Sequence, residues 1–474
     1  MRLAVEEIDI FERGVKLRLP FRFGVVTLEQ APQAFVRARI RLENGKEAEG
    51  AAAELLVPKW FDKEPALSNE ENFAQLRASL ALARDSYLAA GANTAFGHSI
   101  DNYAPQIALG SMRGMNSLVA CYGPALIDRA VLDALCRALD VSFFQVIQKN
   151  IAGIQAPGWQ ADLAAFDMDE FLDGLKPRKR IAARHTVGLL DPITAMEARR
   201  PVGDGLPETL EEVVECYGHR WFKLKVAGDV KNDVERLCAI AAVLDSHFAK
   251  LAEPYHATLD GNEQYEDAGG ALELWRAIKA EPRLKRLAAG VAYIEQPVKR
   301  QNALASGAGD VSELAEEKPV IIDESDDSLE AFPLARRRGY AGVSSKTCKG
   351  LYKSNLNAAR CRLWNREEGS DRYFMSGEDL TTQAGLAVQQ DLALVSLLGM
   401  AHVERNGHHY VNGMAGLPEA EQQAFLDSHP DLYAKSHGAV RLKIQEGMIS
   451  MDSLNCPGYA SGAMPDWQAM SKTQ

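Results

Sequence analysis

Cysteine is scarce in this 474-residue chain: there are seven, scattered, with no Cys-x-x-Cys pair. That excludes a disulfide-built fold and the usual zinc-site spacings, and it fits reduced thiols in a cytoplasmic protein. Long apolar runs are also missing. Stretches such as Leu392 to Ala401 are far too short to span a bilayer, so no membrane partner is expected. Positive charge is in deficit, with 53 Lys and Arg against 65 Asp and Glu for a net charge of −12, which argues against nucleic acid as a main partner. The short basic runs at 176–180 and 336–338 read as solvated surface. Glu6, Glu7 and Asp9 stand where a secretory signal needs a basic start and an apolar stretch. What remains is ordinary: 46% apolar and 25% charged residues exclude a disordered or fibrous chain. The length predicts two to three domains with a core large enough to need no disulfide or structural metal.

The N-terminal third reads as a mixed α+β unit. Val36 to Leu42 alternates apolar and charged residues as a half-buried strand does, and Asn44-Gly45 signals a hairpin returning from Glu47. From about Asn69 to Asn150 the spacing becomes helical, with Leu126, Ala130, Val131, Ala134, Leu135 and Ala138 on one face. Periodicity is lost between Gly153 and Arg180, where a long connection is expected. From Ile181 a beat repeats. Short apolar runs at 181–187, 220–226, 256–260, 291–295, 319–323, 341–346, 372–376 and 401–405 alternate with amphipathic stretches, such as the one after the cap candidate Asp229 and the apolar one from Leu380 to Leu398. Eight such units predict a closed (β/α)8 TIM-type barrel, an open doubly wound sheet being the alternative.

Four successive strands finish on an ionisable residue: Asp260, Glu295, Asp323 and Lys346. The strand before them carries Lys223-Leu224-Lys225, two lysines on one face. In a barrel these groups converge at the C-terminal rim. Three clustered carboxylates repel unless a counterion joins them, and Mg²⁺, or Mn²⁺ in its place, suits an all-oxygen set. A carboxylate substrate on that ion becomes a better carbon acid, because the metal stabilises the enediolate left when an α-proton departs. Lys225 and Lys346 flank the three acids, and Lys223 and the cation both disfavour an ammonium at Lys225, so the two lysines could reach the same carbon from opposite faces. Taken singly, each acid reads first as a solvated loop residue, and each lysine is equally a structural ion pair to a ligand carboxylate.

In order, Lys223-Leu-Lys225, Leu259-Asp260-Gly261-Asn262, Ile294-Glu295-Gln296-Pro297, Ile322-Asp323-Glu324-Ser325 and Lys346-Thr-Cys-Lys349-Gly350 resemble the barrel motifs of the enolase superfamily. The lysine pattern is nearest to its muconate lactonizing enzyme-like (mandelate racemase/muconate lactonizing enzyme) subgroup. Outside the barrel, Pro20-Phe-Arg22-Phe-Gly24, Gly50-Ala-Ala-Ala-Glu54 and the stretch Ile127 to Asp140 resemble its capping domain, and Glu446-Gly447 with Pro457-Gly458 the tract that returns to the cap. The resemblance implies an α+β cap at 1–150, a connection at 151–180, the barrel at 181–410 and a C-terminal segment at 411–474. It implies Asp260, Glu295 and Asp323 as metal ligands, Lys225 and Lys346 as acid/base residues with Lys223 tuning them, and Asn262, Glu324 and Ser325 behind them. Departures concern the substrate: Ser376-Gly-Glu378-Asp379 replaces the histidine of mandelate racemase-type members, and Val403-Glu404-Arg405-Asn406 replaces the Asp-x-Asp of dipeptide epimerases.

Arg22, Arg184, His185 and Arg405 are candidates for a second anionic group of the substrate, the alternative being an Arg paired with a local acid. His408-His409 reads as a surface loop pair, Cys348 as packing, and Trp60 as a cap-loop wall or cap core. The function expected is Mg²⁺-dependent abstraction of a proton α to a carboxylate, followed by racemisation or epimerisation, cycloisomerisation or elimination, in a cytoplasmic homo-oligomer. Two alternatives are a Schiff-base lysine aldolase on the same barrel, which needs no metal, and a non-catalytic barrel acting as a binding or scaffold protein. Against the scaffold stands the cost of burying unpaired lysines and acids.

Overall fold

The computed structural model describes residues 1–23, 26–198 and 201–473; Gly24 of the cap motif lies outside them. Three long strands, β1 (Leu3–Phe23), β2 (Val26–Leu42) and β3 (Glu47–Leu55), form an antiparallel meander. Helices Asn69–Ala89, Ala95–Met112 and Ser117–Leu139 pack over it. The first begins at a capping box, where Ser68 Oγ accepts from the Glu71 amide and the Glu71 carboxylate accepts from the Ser68 amide. The small residues after Gly50 let the third helix lie directly on β3. A Cβ at Gly50 would meet the Ala134 backbone nitrogen at 2.1 Å.

Eight parallel strands follow: β4 (Arg180–Val187), β5 (Trp221–Lys225), β6 (His256–Asp260), β7 (Val291–Glu295), β8 (Val320–Ile322), β9 (Gly342–Ser345), β10 (Phe374–Gly377) and β11 (His402–Arg405). β11 pairs with β4, with Arg405 opposite His185, so the barrel is closed and the open-sheet alternative falls. All eight apolar runs become strands. Asp229 does cap the helix Val230–Leu251, its carboxylate accepting from the Asn232 amide. Two expectations need correction. The helix placed at Leu380 starts only at Leu386, because 380–385 turns over the barrel mouth. The 153–180 connection contains a short helix, Met168–Asp173, capped by Asp167.

The tail runs back across the molecule. β12 (Tyr433–Ser436) and β13 (Ala439–Leu442) form a hairpin, β14 (Met448–Ser450) adds antiparallel to β4, and β15 (Ser471–Thr473) adds to β1. Apolar packing divides in two. One core joins the cap to β4 and β11 (Ile181, Ala183, Val403), while the other fills the space behind β5 to β9 (Phe222, Leu224, Ile294, Val343). Among the described residues, no helix is long and apolar enough to cross a membrane.

Candidate active site

Register places the charged ends of adjacent strands side by side: Lys225 opposite Asp260 on β5 and β6, and Asp260 opposite Glu295 on β6 and β7. Asp323 and Lys346 come one residue after β8 and β9. All five groups are buried at the C-terminal rim, where Lys225 and Lys346 line one small cavity and Asp260 and Asp323 pair with them. Lys225 Nζ lies 2.5 Å from Asp260 Oδ2, and Lys346 is ion-paired with Asp323 on the opposite side. Lys223, one strand layer below Lys225, sits where four carboxylates meet: Asp260 at 2.9 Å, Glu295 at 2.8 Å, Glu378 at 2.7 Å and Glu404 at 3.0 Å.

Burial penalises charge here, and the outcome depends on each group's neighbours. Burial pushes the Asp260 pKa up, but the Lys223 and Lys225 ammoniums outweigh it and hold it below the ordinary value. Asp323 is likewise held down against burial by Lys346 and Lys349. Glu295 goes the other way: burial, then the adjacent Asp260 and Glu378, raise it well above the carboxylate range. Its Oε2 lies near Lys223 yet makes no aligned hydrogen bond among the described residues. Burial would lower the Lys223 and Lys346 pKa values, but their carboxylate partners raise both. The expected role of Lys223 is thereby altered, because its charge is absorbed by four acids rather than turned on Lys225.

These residues fit a divalent hard cation. The donors are all carboxylate oxygens, one of them (Glu295 Oε2) is buried without a hydrogen bond, and Glu295 is driven toward its neutral form by surplus negative charge, which a cation would relieve. Behind them, Gln296 Oε1 accepts from the Asp323 and Ser325 amides (2.8 and 3.1 Å), and its Nε2 donates to Ser325 Oγ at 2.7 Å. Those bonds hold Gln296 at a φ of 32°, in the left-handed region. The Asn262 amide donates to Asp260 Oδ1 at 2.9 Å, and its Nδ2 donates to Glu324 Oε1 at 3.2 Å. From the cap, Lys63 pairs with Glu263 at 2.5 Å and reaches Glu324 at 3.3 Å.

The cap closes the cavity with apolar residues. Phe21, Phe23, Val57 and Trp60 face Lys225, Lys346 and Leu380 across about 20 Å³, room for one water. A substrate of several heavy atoms enters only when these segments part. Trp60 serves both expected roles, stacking edge-on against Phe61 while its ring centroid lies 4.3 Å from Lys346 Nζ. A cleft of about 660 Å³ near Val141 and Asn455 is larger but lies away from these charges.

The four substrate-anion candidates are not brought to the cavity: strand alternation turns Arg22, His185 and Arg405 away, and Arg184 is taken up by partners inside the barrel. Arg22 lies between Phe21 and Phe23, which take the cavity side. Arg184 points into the barrel but is spent on Glu378, Tyr293 (2.7 Å) and the Gly377 carbonyl (2.9 Å). Arg405 faces the outer helices and pairs with Asp391 at 2.5 Å. His185 faces outward among other histidines, and His408 and His409 are buried rather than surface residues. Sequence reasoning gave no role to Glu378, one residue past β10, or to Glu404, inside β11. It also left Lys349 without a role: its Nζ donates to Ser344 Oγ at 2.7 Å and pairs with Asp326 at 3.0 Å.

No protein-family model matches the chain, and no curated protein does. Solved structures do. A muconate lactonizing enzyme from Pseudomonas fluorescens, complexed with muconolactone, matches with a TM-score of 0.57 over 98% of both chains at 18% identity. A mandelate racemase/muconate lactonizing protein from Herpetosiphon aurantiacus gives 0.60 over 97% of this chain and 99% of its own at 15% identity. The chain has the fold of these enzymes. An enolase from alpha proteobacterium BAL199, solved with bound Mg, gives 0.58 over 98% of both chains at 16% identity.

Proposed function

We propose that the chain is a divalent-metal-dependent enzyme of the enolase superfamily, of the muconate lactonizing enzyme-like kind, acting on a small carboxylate. The residues from 181 to 410 would be its catalytic barrel, 1–150 its cap and 411–474 the segment returning to that cap. The observation that carries this reading is the pair Lys225 and Lys346, buried on opposite sides of one cavity, each ion-paired with a different carboxylate of an oxygen-only cluster. Asp260, Glu295 and Asp323 would hold Mg²⁺ or Mn²⁺. When bound, the ion would supply charge stabilisation for the enediolate that forms as the α-proton leaves.

The chain's own residues do the rest. Lys225 Nζ and Lys346 Nζ exchange protons with the α-carbon from its two faces, each needing a neutral amine to accept and an ammonium to donate. Lys223 neutralises the carboxylates below them. Trp60, Phe21 and Phe23 exclude water from the reacting carbon and present an apolar wall to the rest of the substrate. Among the described residues, no free cationic side chain lines the cavity besides the lysines already named, which favours a monocarboxylate with an apolar body. Glu378 and Glu404, through Lys223, keep the acid/base lysines and the metal ligands in one charge-balanced network.

The test is α-proton exchange in D₂O over a library of carboxylic acids, with Mg²⁺ and with EDTA. Metal-dependent deuteration that is lost in the Lys225→Ala/Lys346→Ala double variant is expected. Exchange persisting in that variant would overturn the lysine assignment. Borohydride trapping of a substrate on a lysine, with activity indifferent to EDTA, would favour the aldolase instead.

A further inference from the structure

Three histidines converge outside the barrel, at the seam where β4, β5 and β11 meet. His185 lies on β4 between Arg184 and Thr186, which both point inward, so its ring points outward. His219 precedes β5, and His408 lies in the single helical turn Gly407–Tyr410 after β11. His219 Nε2 is 3.2 Å from His408 Nε2, and His185 Nδ1 is 3.4 Å from that same nitrogen. All three donor atoms lie within 4.8 Å of one another, and the side chains are buried. Tetrahedral zinc with Zn–N bonds of 2.0–2.1 Å sets its nitrogens about 3.3 Å apart, the spacing of the two close pairs.

The surroundings prepare the rings to coordinate. His219 Nδ1 lies 3.0 Å from the Ala183 carbonyl oxygen; donating there fixes the tautomer and leaves the Nε2 lone pair aimed at the cluster. Burial, and then the neighbouring imidazoles, hold His185 and His408 well below the ordinary histidine value; burial lowers His219 to about 4. All three are therefore in the neutral, ligating form at pH 7. Two guanidiniums act on His408: Arg405, paired with Asp391, and Arg441, which donates to the His408 carbonyl at 2.8 Å and to Asn412 Oδ1 at 2.7 Å. They favour a small anion or hydroxide in the fourth position. The seam is also where the apolar core divides, so a cross-link here joins segments that hydrophobic packing leaves to separate clusters.

We propose that His185, His219 and His408 form a structural site for a nitrogen-preferring transition-metal ion, Zn²⁺ foremost, that staples the closing strands of the barrel. An all-imidazole set selects Zn²⁺, Co²⁺ or Ni²⁺ over Mg²⁺, so the site is chemically separate from the carboxylates of the mouth. The test uses the full chain in the Asp260→Asn background with excess Mg²⁺, stripped with EDTA and titrated with Co²⁺ and then Zn²⁺. One Co²⁺ per chain, with the strong visible absorption of a four-coordinate site, and a rise in Tm on Zn²⁺ addition are expected. His219→Ala and, should that variant not fold, the milder His408→Gln should abolish both. Absence of that absorption, or its persistence in His408→Gln, would overturn the site without touching the function proposed for the mouth.

Discussion

Arg184 and His185 are consecutive on β4, yet they belong to different chemistries. Arg184 points into the barrel, where carboxylates and basic groups meet and, Glu295 excepted, partners hold Asp260, Asp323, Lys223 and Lys346 in their charged forms. His185 points out, into a pocket of neutral imidazoles where burial suppresses charge. Thr186 and Glu404 repeat the inward side, His219 and His408 the outward one. The contrast shows how the period of two lets β4 send Arg184 and Thr186 into the charged interior and His185 to the nitrogen-donor cluster outside, while the oxygen donors Asp260, Glu295 and Asp323 stand at the ends of β6 to β8. Perturbing one should leave the other in place.

The sharpest perturbation of the inner face is Lys346→Ala. Loss of an acid/base group should lower kcat by about 10³-fold while Co²⁺ absorption at the seam stays unchanged, which steady-state kinetics and a visible spectrum on the same sample would check. Acid should act on the outer face first. His219 titrates near 4 in the folded chain against 6.5 when free, so between those values the unfolded chain takes up the proton that the fold refuses. Stability is thus lost as pH falls from about 6.5 toward 4, by about 3 kcal/mol for this ring. Asp260 and Asp323, held below their ordinary value of 3.8, lose their contribution only beneath it. Urea titrations at pH 7 and 5 should show a smaller drop for His219→Gln than for the parent chain.

Gln296→Ala removes the bonds that orient Asp323 and Ser325, and should weaken Mg²⁺ binding by roughly 10–100-fold, read by calorimetry, without changing the rise in Tm that Zn²⁺ brings. The smallest effect belongs to Thr186→Val. Its hydroxyl donates to Glu404 Oε1 at 2.6 Å, and losing that bond should cost about 1–2 kcal/mol of stability, measured by denaturant unfolding. A shift of the seam's Co²⁺ spectrum in that variant would break the separation of the two faces.

Much of the inner face was legible in the chain. Each of the acids Asp260, Glu295 and Asp323 closes an apolar run, and Lys223-Leu-Lys225 declares its shared face by spacing alone. Glu378, one residue past β10, and Glu404, inside β11 before Arg405, carry a weaker signal because neither closes its strand. The outer cluster was illegible for a different reason. His185, His219 and His408 lie 34 and 189 residues apart, on two strand approaches and a turn that meet only when β11 pairs with β4. No local pattern encodes a closure between the first and last strands. Parity removes two of the anion candidates, since Arg22 and Arg405 sit one residue from groups that do face the interior, and Arg184 faces inward but is held by Glu378 and Tyr293.

Mn²⁺ binding followed by electron paramagnetic resonance tests the oxygen cluster most directly. One tight Mn²⁺ per chain is expected, lost in Asp260→Asn and retained in His408→Gln; equal Mn²⁺ affinity in Asp260→Asn and the parent chain would contradict the carboxylate site on which the proposed chemistry depends.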